Sequence, residues 1–248
     1  LVRVVSKSGL VLGIGGYSPA SSLRGRMWTF QEADDVASTA FLQKRLGEAL
    51  RAREDLLKRT TARRLVFAEA DGLPGLVVDQ YGDWLVTQFQ SAAVEARREA
   101  ITSILMELTG AKGVFDRSDA ATRQREGLAP HVGVLAGDEP PERIEVIEDG
   151  VRYGVDVRKG HKTGFYIDQR ESRLAAQRLA REFREKNGRG LRVLNCFCYT
   201  GGFSLALMAG GADSVDSVDS SADALAQARA NAQLNRLPES ALNWIEAD

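Results

Sequence analysis

The stretch Val193–Gly202, read V-L-N-C-F-C-Y-T-G-G, constrains the fold more than any other part of the chain. A short apolar run ends in a glycine pair, and a helical pattern follows from Phe203 to Ala209. Ser214–Val218 then reads as a second strand ending in Asp219. Ser220 or Ser221 can cap the next helix, whose inward stripe includes Leu225, Ala228 and Leu234. Leu242–Ile245 is a third strand. Strand, helix, strand, helix, strand in this order build a parallel, right-handed α/β unit. The first βα turn of such a sheet is where nucleotide-like ligands bind.

The segments before this unit read differently. Leu1–Ser6, Leu10–Tyr17 and Arg24–Phe30 are strand-like and separated by turn signals, as in the tail of a small β-barrel. Asp34–Thr60 has Leu42, Leu46, Ala49, Leu50 and Leu57 on one helical stripe. From Leu42 to Arg64 there are eight Lys/Arg against three Asp/Glu, a local basic surface in a chain of net charge −1. Short strands follow around Asp71-Gly72-Leu73-Pro74-Gly75, with a return strand over Trp84–Gln90 and a helix over Ala93–Leu108. Gly113–Asp116 is a further strand, followed by a polar segment. The pattern predicts a compact α+β domain. Asp149-Gly150 between Ile144–Glu148 and Val151–Val157 signals a type I′ hairpin. A glycine-flanked loop, Gly160–Gly164, then leads into a helix to about Lys186.

Composition adds bounds. With 248 residues, 44% hydrophobic and 27% charged, the chain has length for more than one domain. No apolar run reaches the ~18 residues of a membrane span. Cys196 and Cys198 would point to opposite faces of a strand, a poor geometry for a disulfide, and two thiols alone make no zinc site. Cys196 reads as a core residue. The setting is expected to be reducing and cytoplasmic, with neither metal nor membrane as partner. Both chain ends read as interruptions of larger elements, so the expectation is a piece of a longer protein.

The turn itself discriminates between ligands. A dinucleotide brings a pyrophosphate, which wants G-x-G-x-x-G so that bare backbone can approach it. Only Gly201-Gly202 is present, among bulky Phe197, Tyr199 and Phe203. S-adenosylmethionine carries no phosphate. It needs a tight turn, a carboxylate for its ribose and mixed contacts for its adenine. Asp219 lies 18 residues after Gly201, near the spacing of a ribose-binding acid, and Asp248 ends the third strand, where it can reach the adenine amine. The glycine turn and two strand-end acids together favour a methyl-donor site over a nicotinamide cofactor or a bare scaffold.

Several motifs resemble the bacterial ribosomal RNA large-subunit methyltransferase I family of cytosine-C5 methyltransferases. They are Gly16-Tyr17-Ser18-Pro19-Ala20-Ser21, Met27-Trp28-Thr29-Phe30, Asp71–Gly75, Phe115-Asp116-Arg117-Ser118-Asp119, Gly160–Arg170, Asn195–Phe203 and Val218-Asp219-Ser220-Ser221. The resemblance implies an α/β architecture: part of a PUA-type barrel (1–32), a central α+β domain (33–157) and an incomplete Rossmann-like methyltransferase domain (158–248). It implies S-adenosylmethionine as cofactor, held by Phe165, Gln169, Cys198, Tyr199, Thr200, Gly201, Gly202, Phe203, Asp219, Ser220 and Asp248. It implies large-subunit ribosomal RNA as partner, with Arg24, Arg26, Arg117, Arg123, Arg125 and Lys162 as RNA contacts, and a homodimer.

C5 of cytosine is a poor nucleophile until a thiolate adds to C6. The family's catalytic cysteine and its D-P-P-K-F segment are expected beyond Asp248, so no catalytic residue is assigned within this chain. Cys198 reads as a wall of the donor site rather than the nucleophile. An RNA-binding protein on a degenerate methyltransferase scaffold, or a methyltransferase for another RNA atom, are the alternative readings.

Overall fold

The computed structural model describes residues 1–119 and 121–247. The chain forms two compact units: residues 1–58, 62–142 and 156–164 make the first, and residues 59–61, 143–155 and 165–248 the second.

The first unit begins with β1 (Val2–Val5), β2 (Val11–Tyr17) and β3 (Gly25–Thr29), an antiparallel sheet in that order. Among the described residues β1–β3 form an open three-stranded sheet, not a closed barrel. Next come α1 (Thr39–Arg51), β4 (Ala62–Phe67), β5 (Leu76–Tyr81), β6 (Trp84–Phe89), α2 (Ala92–Glu95), α3 (Arg98–Thr109), β7 (Gly113–Ser118), α4 (Ala121–Arg125) and β8 (His131–Gly137). β4 to β8 form one sheet in sequence order, antiparallel except for the β6–β7 pair. The α2–α3 segment provides the crossover that a parallel pair requires.

The stripe expected over 34–60 divides. Ser38 accepts the Phe41 N–H and starts α1, and a separate 3-10 turn covers Glu54–Lys58. Arg53 at the break is bound bidentately by Asp71, at 2.7 and 2.9 Å. Leu42, Leu46 and Ala49 are buried as the stripe predicts, but Leu57 lies beyond the break and is exposed. The helix expected over 93–108 likewise splits into α2 and α3. Strand β8, to which the sequence pattern assigns nothing, pairs along β7. Trp28 of β3 shares one core with Leu42, Leu65, Leu85 and Ile101, so residues 1–32 do not stand apart from the central sheet.

The second unit contains the hairpin β9 (Ile144–Glu148) and β10 (Val151–Val155), α5 (Arg170–Asn187), β11 (Arg192–Cys196), α6 (Gly202–Ala209), β12 (Ser214–Asp219), α7 (Ala222–Leu234) and β13 (Leu242–Glu246). β11, β12 and β13 are parallel in that order, with α6 and α7 as crossovers, the expected Rossmann-like α/β unit. Asp149 (φ +48°) and Gly150 (φ +86°) supply the left-handed pair of a type I′ turn.

The boundary expected at 157/158 is displaced in both directions. The hairpin belongs to the second unit because buried Glu148 is held by Arg170 and Arg173 of α5. Residues 156–164 belong to the first. Buried Thr163 donates to Asp79 at 2.6 Å and lies 2.7 Å from the Tyr81 hydroxyl, while Arg117 donates to the Val157 carbonyl at 2.7 Å. Among the described residues no helix is long and apolar enough to cross a membrane.

Candidate functional site

The turn after β11 departs sharply from extended backbone. Phe197 (φ +59°), Tyr199 (φ +48°) and Gly201 (φ +79°) are all left-handed. Side chains rarely adopt this region, and such outliers concentrate at ligand sites, where the surrounding structure must hold them. Here the holding contacts are explicit. Cys198 N–H donates to Val218 O of β12 at 2.9 Å, and Gly201 N–H donates to Cys198 O at 2.9 Å. Asp219 accepts Tyr199 N–H on one carboxylate oxygen (2.7 Å) and Ser221 N–H on the other (3.0 Å). Gly201 has a second reason to be glycine. A Cβ there would meet the Trp244 ring at 3.0 Å and the Ala228 methyl at 3.1 Å.

The turn walls one side of a cleft of about 460 Å³. Of the residues expected to bind cofactor, Phe165, Gln169, Cys198, Tyr199, Thr200, Gly202 and Phe203 line it. Gly201, Asp219 and Ser220 do not. Gly201 is buried against Trp244, Asp219 is half-buried at the back of the turn, and Ser220 is exposed beside it. Asp248 lies outside the described residues. Tyr166, Arg173, Asn195, Cys196 and Phe197 complete the lining. Arg173 is the least legible of these, because what places it is Glu148, 25 residues earlier on the hairpin.

The chemistry of the lining is specific. Arg173 donates from Nε and Nη2 to Glu148 (2.7 and 3.0 Å) and from Nη1 to Tyr166 O (2.9 Å). Its guanidinium also covers the Phe165 ring at 4.5 Å. The charge is thus spent on a buried carboxylate and a carbonyl, leaving a poor anchor for a pyrophosphate. Tyr166 and Tyr199 meet edge to face at 5.5 Å, and the Phe197 ring is 87% exposed. Aromatic faces beside a glycine turn suit a nucleoside carrying a sulfonium, since ring quadrupoles attract cations. These residues fit S-adenosylmethionine better than a dinucleotide.

The two cysteines correct the strand geometry expected of them. The chain bends at Phe197, so Cys196 and Cys198 line the same cleft, and Cys196 is exposed rather than in the core. Burial, with the nearby Asp219 charge, pushes the Cys198 thiol up to about 11. A buried thiol of that kind is a weak nucleophile near neutrality.

The six expected RNA contacts separate by burial. Arg24, Arg125 and Lys162 are exposed. Arg117 and Arg123 are corrections. Arg117 is buried and donates to Val157 O and Gly160 O, and Arg123 is buried and donates to Phe89 O, Ala129 O and Glu95. Both brace backbone inside the first unit. Arg26 is half-buried and paired at 2.8 Å with buried Glu126.

Comparison with known proteins gives the family of the chain. A family model described as S-adenosylmethionine-dependent methyltransferase matches residues 70–244. Ribosomal RNA large subunit methyltransferase I of Photobacterium profundum is 43% identical over 249 residues, covering all of this chain and 60% of that protein. Its namesake in Aeromonas hydrophila is 44% identical over 250 residues, covering all of this chain and 61% of that protein. A solved structure of a proposed SAM-dependent methyltransferase from Streptococcus mutans covers the whole chain and 62% of its own, with TM-score 0.82 and 25% identity. Another, a proposed methyltransferase complexed with SAH, gives TM-score 0.83 at 25% identity, covering the whole chain and 61% of its own. The chain spans about 60% of the length of these curated relatives. The left-handed turn, its aromatic cleft and a family match that runs through both have one common explanation: this chain belongs to the S-adenosylmethionine-dependent methyltransferases.

Proposed function

We propose that the chain holds the methyl donor for methylation of C5 of a cytosine in large-subunit ribosomal RNA. The observation that carries this reading is the cleft at the end of β11, walled by the Cys198–Phe203 turn and by Phe165 and Gln169. The substrate assignment is supported by relatives at 43–44% identity named for large-subunit ribosomal RNA. S-adenosylmethionine, when bound, supplies an electrophilic methyl group. The protein's part is to orient that group and exclude water. Phe165, Tyr166, Phe197 and Tyr199 give the cleft apolar, cation-tolerant walls. Asp219 fixes the turn through Tyr199 N–H and is the residue we assign to the ribose hydroxyls, with Ser220 beside it and Asp248 assigned to the adenine amine.

Attack by C5 requires a thiolate at C6, and the raised Cys198 thiol is unsuited to that task. The reading gives this chain the donor-holding half of the reaction and assigns the nucleophile to neither cysteine of the cleft. Exposed Arg24, Arg125 and Lys162 are assigned to RNA phosphates. Strands β1–β3 are read as part of a PUA-type barrel, and the five-stranded sheet as the substrate-side domain. Calorimetric titration with S-adenosylmethionine and with SAH tests the site. Binding that Asp219→Ala abolishes or weakens supports it, and no binding to the folded wild type refutes it. Transfer of labelled methyl to large-subunit ribosomal RNA by this chain alone would overturn the division of labour.

A further inference from the structure

Among the described residues strand β10 pairs with no strand but β9, and its other edge presents the backbone groups of Arg152 and Gly154. Unpaired edge groups of this kind need partners. Three carboxamides spaced four residues apart along α7 and its cap supply them. Asn235 Oδ1 accepts Arg152 N–H at 2.8 Å, and its Nδ2 donates to Arg152 O at 2.7 Å. Asn231 Oδ1 accepts Gly154 N–H at 2.8 Å, and Gln227 Nε2 donates to Gly154 O at 3.2 Å. Side chains at i, i+4 and i+8 share one helix face, so the helix acts as a partner strand made of amides. Gly154 permits the close approach, since a Cβ there would sit 2.9 Å from Gln227 Nε2.

Asn231 differs from its two neighbours. It is 1% exposed, and its Nδ2 donates to the Thr200 carbonyl at 3.1 Å. Tyr153, between the two clamped residues, points the other way and donates from its hydroxyl to Gly202 O at 3.4 Å, with its ring 5.0 Å from that of Phe165. The carbonyls on both sides of left-handed Gly201 are therefore held from the hairpin. Tyr153 holds one directly, and Asn231 holds the other while its own oxygen is fixed by Gly154.

We propose that Asn231 is a positioning residue for the donor site, holding the Thr200 carbonyl so that the left-handed turn keeps its binding geometry. This rests on the donor reading of the cleft. Asn231→Asp keeps the acceptor for Gly154 N–H and replaces only the donor to Thr200 by a carboxylate. The expected result is a folded protein with about tenfold weaker binding of S-adenosylmethionine and of SAH. Hydrogen exchange at the Cys198–Phe203 amides, measured without ligand, should be about tenfold faster. Asn235→Ala loses two bonds to β10 and one to the Asn231 carbonyl but touches no atom of the turn. It should lower the melting temperature while donor affinity stays within about twofold. If Asn231→Asp does not fold, Asn231→Ser removes both the donor to Thr200 and the acceptor for Gly154, and is set against Asn235→Ala on the same affinity and exchange readouts.

Wild-type affinity and wild-type exchange in the Asn231 variant would overturn the proposal. So would a turn loosened equally by Asn235→Ala, since Asn231 would then act only on stability. A folded wild type that binds no donor removes the site reading instead, and the exchange measurement still decides whether Asn231 holds the turn.

Discussion

Replacing Gly201 by alanine isolates the geometry of the turn. Its φ of +79° costs an L-residue about 1–2 kcal/mol. The new Cβ would lie 3.0–3.2 Å from the Trp244 ring and 3.1 Å from Ala228, an overpacking worth about 1–3 kcal/mol. Reduced freedom of the unfolded chain returns about 0.4–1 kcal/mol. The net expectation is a loss of roughly 1–4.5 kcal/mol, centred near 3. Gly202 is the natural control. It opens α6, where alanine gains about 0.5–1 kcal/mol, and among the described residues a Cβ there would meet only the Arg173 side chain, at 3.2 Å. Gly202→Ala should therefore change stability by less than about 1 kcal/mol. Native-state hydrogen exchange on the β11 and β12 amides reads the opening free energy of this unit directly. Equal losses at the two glycines, or a harmless Gly201→Ala, would refute the argument that left-handed backbone and Trp244 together demand glycine at 201.

Four further outcomes follow from named residues. Glu148→Gln leaves Arg170 and Arg173 buried without their countercharge and should cost about 3–5 kcal/mol in urea unfolding, with donor affinity falling as Tyr166 O loses its fixed partner. At pH 8 one thiol, Cys196, should react rapidly with an alkylating agent. Cys198, with about one part in a thousand as thiolate, should lag until the pH nears 11. Because burial favours its neutral form, the stability contributed by Cys198 is complete below pH ~9 and is lost as pH rises through about 11. Arg125→Ala should lower the salt slope of RNA binding by about one, whereas Arg123→Ala should leave the slope unchanged and destabilise the first unit by about 2–4 kcal/mol.

Much of the second unit was legible because its signals are local. Apolar runs, glycine breaks and helical stripes set β11 to β13, and Asp149-Gly150 set the hairpin turn, each through backbone preferences a few residues wide. Strand β8 was not legible. Its H-V-G-V-L-A-G run is short and rich in glycine, and it is a strand because β7 lies beside it. The stripe of α1 predicted Leu42 and Leu46 correctly and failed at Leu57, because the helix ends at Arg51 and no periodicity reveals that end. The bond from Tyr199 N–H to Asp219 was not legible, because Tyr199 N–H points there only in a left-handed backbone.

The sequence by itself determined the order of strands and helices in the second unit, the position of the tight turn and the kind of ligand its aromatic surroundings suit. These depend on φ preferences, side-chain period and residue chemistry, all of which act over a few neighbours. Tertiary structure alone decided what each charged or amide group does. Arg123 and Arg125 are two residues apart, and one braces buried backbone while the other faces solvent. Glu148 draws Arg173 into the cleft wall, and Asn231 reaches the carbonyl of Thr200, 31 residues earlier. A buried polar group must find a partner wherever the fold brings one, and that partner is set by packing rather than by position in the chain.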